Sequence, residues 1–194
     1  VNNNAVFEDV GQWKRPWYFK KHDGETMYEA VQRESKQVRR AAGILDGTTL
    51  GKIEIKGKDA LTFMNLVYTN DFSKTKSMSG KYALMLGEDG MVKDDGIVCK
   101  INDQHFIATT TTGGAMNVLS HMEEYAQTEW PNLNVYMNSV TEQFATFNIS
   151  GPKSRIIMSR VFSDIDFSNE KFPFMTFNKF NYLETEIRIL RASF

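Results

Sequence analysis

Lys81-Tyr82-Ala83-Leu84-Met85-Leu86-Gly87-Glu88-Asp89-Gly90-Met91-Val92-Lys93 runs into Asp94-Asp95-Gly96-Ile97-Val98-Cys99-Lys100-Ile101-Asn102-Asp103-Gln104-His105-Phe106-Ile107-Ala108-Thr109-Thr110. Two apolar runs, 81–86 and 91–93, flank Gly87-Glu88-Asp89-Gly90, and two more, 97–101 and 105–110, meet across Asn102-Asp103. Asp-Gly and Asn-Asp tolerate the positive φ of tight turns, so both junctions predict hairpins and hence antiparallel strands.

Helical and strand periods alternate on either side of this block. Downstream, Ala115, Val118, Leu119, Met122 and Ala126 space an amphipathic helix that stops before Pro131. Strands are expected at 133–137 and 144–149. Gly151-Pro152 then opens a helix with an apolar face of Ile156, Ile157 and Val161, and 172–182 and 186–190 read as strands. Upstream, Ile53 and Ile55 alternate with Lys52, Glu54 and Lys56 as a half-buried strand does. Asp59 is placed to cap a helix over 60–68, and Met27, Ala30, Val31, Val38 and Ala41 predict a helix over 26–42 stopped by Gly43. Trp13-Lys14-Arg15-Pro16-Trp17-Tyr18 cannot be a helix interior and reads as an aromatic, basic arm. The mixture predicts an α+β fold with antiparallel sheets flanked by helices rather than a doubly wound parallel sheet.

The 194 residues hold 23 Lys and Arg against 24 Asp and Glu, a formal charge of −1, which gives no general attraction to nucleic acid or anionic membranes. With 41% hydrophobic and 12% aromatic residues the chain can build a core. The longest apolar runs are about four residues, far below the ~18 of a membrane span. One cysteine, Cys99, and an Asn-rich, polar start predict a reducing, cytoplasmic setting. The sequence stops at Phe194 directly after a strand pattern, so a piece of a longer chain is expected, with an open sheet edge that invites self-association.

Three features could carry chemistry. Asp94-Asp95 sits between apolar strand residues, where acids are disfavoured, and alternation turns one carboxylate inward. It is either a hydrogen-bonded turn acid or a charge guarding a strand edge, or else a functional acid that stabilises a cationic amine or accepts its proton. Thr109-Thr110-Thr111-Thr112-Gly113-Gly114 passes from strand to helix; it caps that helix, or its hydroxyls and N–H groups hold a carboxylate or ring amide. Tyr82, on the strand paired with the acidic segment, is core or lines the same cavity. No dinucleotide or nucleoside-triphosphate loop is present, no Ser-centred elbow appears, and His22, His105 and His121 lack metal spacing. No metal is expected.

Gly43-Ile44-Leu45-Asp46, Thr69-Asn70-Asp71-Phe72, Gly80-Lys81-Tyr82, Gly90 to Val98 and Ser150-Gly151-Pro152, in this order and spacing, resemble the folate-binding aminomethyltransferase family, that of the glycine cleavage T-protein. Within it, Ala108 to Ala115 and Thr128 to Arg155 are similar to the C-terminal region of the α subunit of heterotetrameric sarcosine oxidase. The resemblance covers nearly everything from Trp13 to Phe194. It implies two intertwined α+β subdomains around a folate site, with residues 1–25 an arm and 26–194 the front portion of the domain. It implies tetrahydrofolate as cofactor and a catalytic role for Asp95 beside the reactive folate nitrogens. Tyr82 falls on the family's tyrosine beside the pterin, Thr111 where T-proteins have an asparagine facing the ring, and Leu50 on a methionine of the pocket wall; Asp94 and Thr110 join the folate-binding set.

Asp46-Gly47-Thr48-Thr49-Leu50 stands where T-proteins read Asp-Val-Ser-His-Met, which fits the sarcosine oxidase branch. The family's Thr-Gly-Glu and Gly-Ala-Arg-Asp segments would lie past Phe194, so the piece by itself is expected to be inactive. The implied function is capture, as 5,10-methylenetetrahydrofolate, of the one-carbon unit released by oxidative N-demethylation, with other subunits as partners and flavin and NAD bound elsewhere. Another folate-dependent aminomethyltransferase or demethylase, or a non-catalytic folate-binding module, are the alternatives.

Overall fold

A computed structural model describes residues 3–192. In chain order the elements are β1 (Ala5–Val10), β2 (Trp13–Phe19), α1 (Met27–Arg40), β3 (Gly43–Asp46), β4 (Gly51–Lys56), α2 (Ala60–Val67), β5 (Ser79–Leu86), β6 (Val92–Asn102) and β7 (His105–Thr110). They continue with α3 (Ala115–Thr128), β8 (Tyr136–Ser139), a 3₁₀ turn (Thr141–Gln143), β9 (Phe147–Ser150), α4 (Ser154–Val161), β10 (Phe177–Tyr182) and β11 (Thr185–Leu190). Every strand pair is antiparallel, which makes the fold α+β as the hairpin signals predict. The chain divides into two compact units that share it discontinuously. One holds 1–49 and 144–167, the other 50–143 and 168–194.

In the first unit β1 pairs with β2 and β3 with β9. Proline 16 sits in a two-stranded ribbon beside a bulge between Val6 and Phe7, where a missing N–H breaks no inner ladder. Helix α1 starts on a reciprocal capping box, Thr26 accepting from the Glu29 N–H and Glu29 from the Thr26 N–H. Glu25, nearly fully buried, takes Arg33 and the Lys21 N–H, and these bonds hold its carboxyl down to about 2. The helix ends at Arg40, and Gly43 is not its stop; it opens β3, where a Cβ would meet the Val38 side chain at 2.5 Å. The expected apolar face of α4 forms no core: Ile156, Ile157 and Val161 are exposed and the helix buries no residue.

The second unit is built on a five-stranded sheet in the order β5-β6-β7-β4-β8. Odd residues of β4 and β5 and even residues of β6 and β7 face α2 and α3, giving a core of Ile53, Ile55, Ala83, Met85, Val98, Phe106 and Ala108. Helix α2 adds Phe63 and Met64, and α3 adds Val118, Leu119 and Met122. Phe72, from the segment after α2, packs edge-to-face on Tyr68 and Phe106. On the opposite face a smaller cluster joins Cys99 and Ile107 to Phe177 of the β10–β11 hairpin. Asp59 does not cap α2 with its side chain; its Oδ2 accepts the Asn134 N–H at 2.8 Å and ties the loop before β8 to the helix start.

Boundaries differ where side chains outcompete pattern. The second hairpin turns at Asp103-Gln104, one residue later than expected, because Asn102 stays paired with His105 while its Oδ1 accepts the Gln104 N–H. β8 and β9 start three residues later than the apolar pattern suggests, and 172–176 is a loop rather than strand. Among the described residues no helix is long and apolar enough to cross a membrane.

Candidate functional site

Register places the candidate residues at one end of the second unit's sheet. Tyr82 pairs with Ile97 and Lys52 with Thr109, and the Thr109 hydroxyl bridges to the Ile97 N–H and carbonyl, so Tyr82, Ile97, Thr109 and Lys52 form one row across four strands. Asp95, Thr111 and Leu50 each lie two residues beyond that row, toward the same end. The row closes because Gly96 has no side chain: a Cβ there would sit 2.0 Å from the Thr109 carbonyl oxygen.

Tyr82 and Asp95 are diagonal neighbours on the face away from the helices, since Asp95 stands opposite Leu84. The Tyr82 hydroxyl donates to Asp95 Oδ2 at 2.5 Å, and Tyr82 is 48% exposed. Holding that proton against a carboxylate pushes the phenol above its ordinary value of 10, with partial burial adding to the effect. Asp95 Oδ1 takes no protein hydrogen bond among the described residues. The pair therefore presents a fixed negative charge with one free oxygen beside an accessible aromatic ring, a surface suited to a flat heterocycle carrying N–H donors or developing positive charge.

Asp94 points the other way and is 6% exposed. Its Oδ1 accepts the Asp95 N–H at 2.8 Å, and the Thr111 N–H donates to both its oxygens at 3.3 and 3.2 Å. The Thr111 hydroxyl accepts the Gly114 N–H at 3.1 Å, and a Cβ on Gly114 would lie 2.4 Å from Asp94 Oδ2. Of the two readings of the threonine loop, its Thr111 N–H does hold a carboxylate, but one supplied by the chain itself just before α3, where the helix dipole favours negative charge. Burial first, then the charge of Asp94, raises the Tyr68 phenol well above its usual range. Thr110 is buried, its hydroxyl donating to the Thr111 carbonyl, and Gly51 leaves it room. Leu50 is partly buried, and its carbonyl accepts from the buried Lys52 ammonium at 2.9 Å.

The structure thus brings Tyr82 and Asp95 into contact and links Asp94 to Asp95 and Thr111 through the backbone. Thr110 and Leu50 stand at the same sheet end, the Thr110 hydroxyl bonding Thr111 and the Leu50 carbonyl bonding Lys52 rather than the phenol–carboxylate pair. Sequence reasoning missed Asn70, whose amide binds the Tyr82 backbone, and the Thr109–Ile97 bridge. Burial pushes the Cys99 thiol up to about 12, which removes it as a nucleophile. Among the described residues no three His, Cys, Asp or Glu side chains gather as a metal site would need.

The family model described as the GCVT N-terminal domain matches residues 1–194. The chain belongs to that family. Sarcosine oxidase subunit alpha of Corynebacterium sp. strain U-96 is 51% identical over 194 residues, 99% of this chain and 20% of that protein. The corresponding subunit of Rhizobium meliloti is 43% identical over 173 residues, 89% of this chain and 17% of that protein. An aminomethyltransferase of Chlorobium phaeovibrioides is 29% identical over 190 residues, 98% of this chain and 48% of that protein. This GCVT N-terminal domain chain therefore spans about a fifth of the sarcosine oxidase α subunits it matches. The crystal structure of glycine cleavage system aminomethyltransferase T from Bartonella henselae superposes with a TM-score of 0.75 at 19% identity, covering 91% of this chain and 44% of that one, and shows the shared fold.

Proposed function

We propose that this GCVT N-terminal domain is the tetrahydrofolate-binding part of a sarcosine oxidase-like α subunit, with 1–25 as an arm and 26–194 as the front portion of the folate domain. The carrying observation is the Tyr82–Asp95 pair: an accessible ring beside a carboxylate that keeps one oxygen free. Identity supports the branch, 51% to a sarcosine oxidase α subunit against 29% to an aminomethyltransferase. The donor set fits the ligand, because a pterin offers a flat ring to Tyr82 and amine nitrogens to Asp95.

Tetrahydrofolate supplies the nucleophilic nitrogens that capture a one-carbon unit at the imine oxidation level, as 5,10-methylenetetrahydrofolate. Asp95 would stabilise positive charge at those nitrogens and would take up a proton through Oδ1, while Tyr82 holds Oδ2 and would wall the ring. Asp94 holds the Thr111 loop, and the threonine side chain and Leu50 would border the ring. Oxidation of the methylamine, with its flavin and NAD, falls to other domains or to partner subunits of the oxidase, and the setting is the cytoplasm.

The test is anaerobic titration of tetrahydrofolate into the parent α subunit, with methylene transfer measured in the assembled oxidase. Saturable binding is expected for wild type and for Asp95→Asn, with transfer lowered roughly 10²–10³-fold in the variant, the scale of losing one preorganised electrostatic group. Absence of binding to the wild-type subunit would sink the folate reading, and full transfer in Asp95→Asn would remove Asp95 from the chemistry.

A further inference from the structure

We propose that Asn70 is a positioning residue that aims Tyr82 at Asp95 by acting as a one-residue substitute for a sixth strand. The inference rests on the reading of the Tyr82–Asp95 pair as the folate site, but its geometry stands independently of any ligand.

β5 is the outermost strand of the five-stranded sheet, so along Tyr82–Leu84 one set of its backbone groups faces away from β6. Such an edge frays and lets its residues swing. Here the Asn70 amide occupies it: Nδ2 donates to the Tyr82 carbonyl at 3.1 Å and Oδ1 accepts the Leu84 N–H at 3.3 Å. The Thr69 N–H completes the set by donating to the Leu84 carbonyl at 3.1 Å. Residues i and i+2 of an edge strand present one carbonyl and one N–H side by side, and a neighbouring strand would meet them with a peptide group. A side-chain amide offers the same donor and acceptor in one rigid plane.

The amide is itself anchored. Asn65 of α2 accepts the Phe72 N–H at 2.8 Å and donates to the Ser73 hydroxyl at 2.9 Å. The Phe72 side chain is fully buried, and the Lys81 ammonium reaches the Asp71 carbonyl at 3.1 Å. Asn70 thus transmits the fixed position of α2 and Phe72 to the one backbone segment that carries the phenol. Tyr82 must reach diagonally to Asp95 rather than straight across to Ile97, and that reach depends on where its backbone sits.

The test reads the phenol directly, by NMR titration of protein carrying ¹³C-labelled tyrosine, with Tyr82 assigned from Tyr82→Phe. In wild type the bond to Asp95 is expected to hold the Tyr82 titration above its ordinary value. Asn70→Leu removes both bonds, and Asn70→Asp removes the one to the Tyr82 carbonyl; in each the Tyr82 titration is expected to fall back toward its ordinary value. A lowered melting temperature with an unmoved Tyr82 titration would mean that Asn70 merely covers an edge, and would overturn the proposal. Should the variants not fold, the wild type still decides. The Leu84 amide is expected to exchange with solvent at least about tenfold slower than an open edge amide, and free exchange would refute the clamp. Neither readout involves folate, so a failure to bind folate leaves the Asn70–Tyr82 linkage standing. In the folate-using oxidase, Asn70→Asp is expected to lower methylene transfer about tenfold through misplacement. Full transfer despite a lowered phenol titration would confine Asn70 to structure.

Discussion

Asp94 and Asp95 are neighbours in sequence and opposites in the fold. The first lies on the sheet face that α2 and α3 close, with its oxygens taken by the N–H groups of Asp95 and Thr111. The second lies on the other face with a phenol on one oxygen and the other oxygen free. One face is a largely apolar layer in which backbone N–H groups solvate the Asp94 carboxylate, and the Phe72 carbonyl with Asp103 holds the Lys100 ammonium. The other has its apolar cluster where the β10–β11 hairpin covers Cys99 and Ile107, and also carries Tyr82, Asp95, Glu54 and His105. A pair of acids in a strand is thus two separate devices, one that builds the loop and one that faces outward from it.

The strongest break of this contrast is in the closed layer. Phe72→Ala should cost about 3–5 kcal/mol in chemical denaturation, because a fully buried ring in contact with Tyr68 and Phe106 leaves a cavity the sheet cannot fill. A loss below about 1 kcal/mol would show that the helix face is not packed as described. Next comes the direct comparison. Asp94→Ala should cost about 1–3 kcal/mol, since it strips partners from two backbone N–H groups, whereas Asp95→Ala should stay within about 0.5 kcal/mol. Equal losses would erase the distinction between the faces.

Smaller effects sharpen the outer face. Cys99, with its thiol pushed up to about 12, should resist a thiol reagent at pH 8 in the folded protein and react once urea unfolds it. Rapid labelling of native protein would mean that the β10–β11 hairpin does not cover it. His105 hydrogen-bonds Glu54 through Nε2 at 2.8 Å, yet burial outweighs that carboxylate and draws the ring below its ordinary 6.5. The unfolded chain binds the proton more readily, so the contribution of this ring to stability is full above pH 6.5 and is lost as the pH falls from 6.5 through the lowered folded value. An NMR titration midpoint above 6.5 would reverse the sign and show that Glu54 dominates.

Much of the second unit was legible because its signals are local. The turn chemistry at 87–90, the alternation at Ile53 and Ile55 and the spacing of Val118, Leu119 and Met122 each predict an element that the structure contains. Strand pairing placed Tyr82 beside the acidic segment, but its diagonal bond to Asp95 was not legible, and the roles of both came from a family likeness. The illegible parts depend on side chains meeting backbone far away in sequence. Asp59 bonds Asn134 across 75 residues instead of capping its own helix, and Asn70 reaches Tyr82 and Leu84, twelve and fourteen residues on. The stripe of Ile156, Ile157 and Val161 is exposed and not core, because periodicity reports which side chains share a side and not what lies against them.

The parity of β6 carries a cost for the evolution of this strand. Because adjacent residues face opposite ways, a single-residue insertion between Asp95 and Gly96 would exchange the two acids, sending the solvent-facing carboxylate into the apolar layer and the loop-building one outward. Insertions of one residue are thereby excluded from this stretch, whereas the hairpin at Gly87–Gly90, separated from it by the bulge between Met85 and Leu86, can change length without moving either carboxylate across the sheet. Length variation among relatives should therefore collect in that hairpin and spare the strand beyond it.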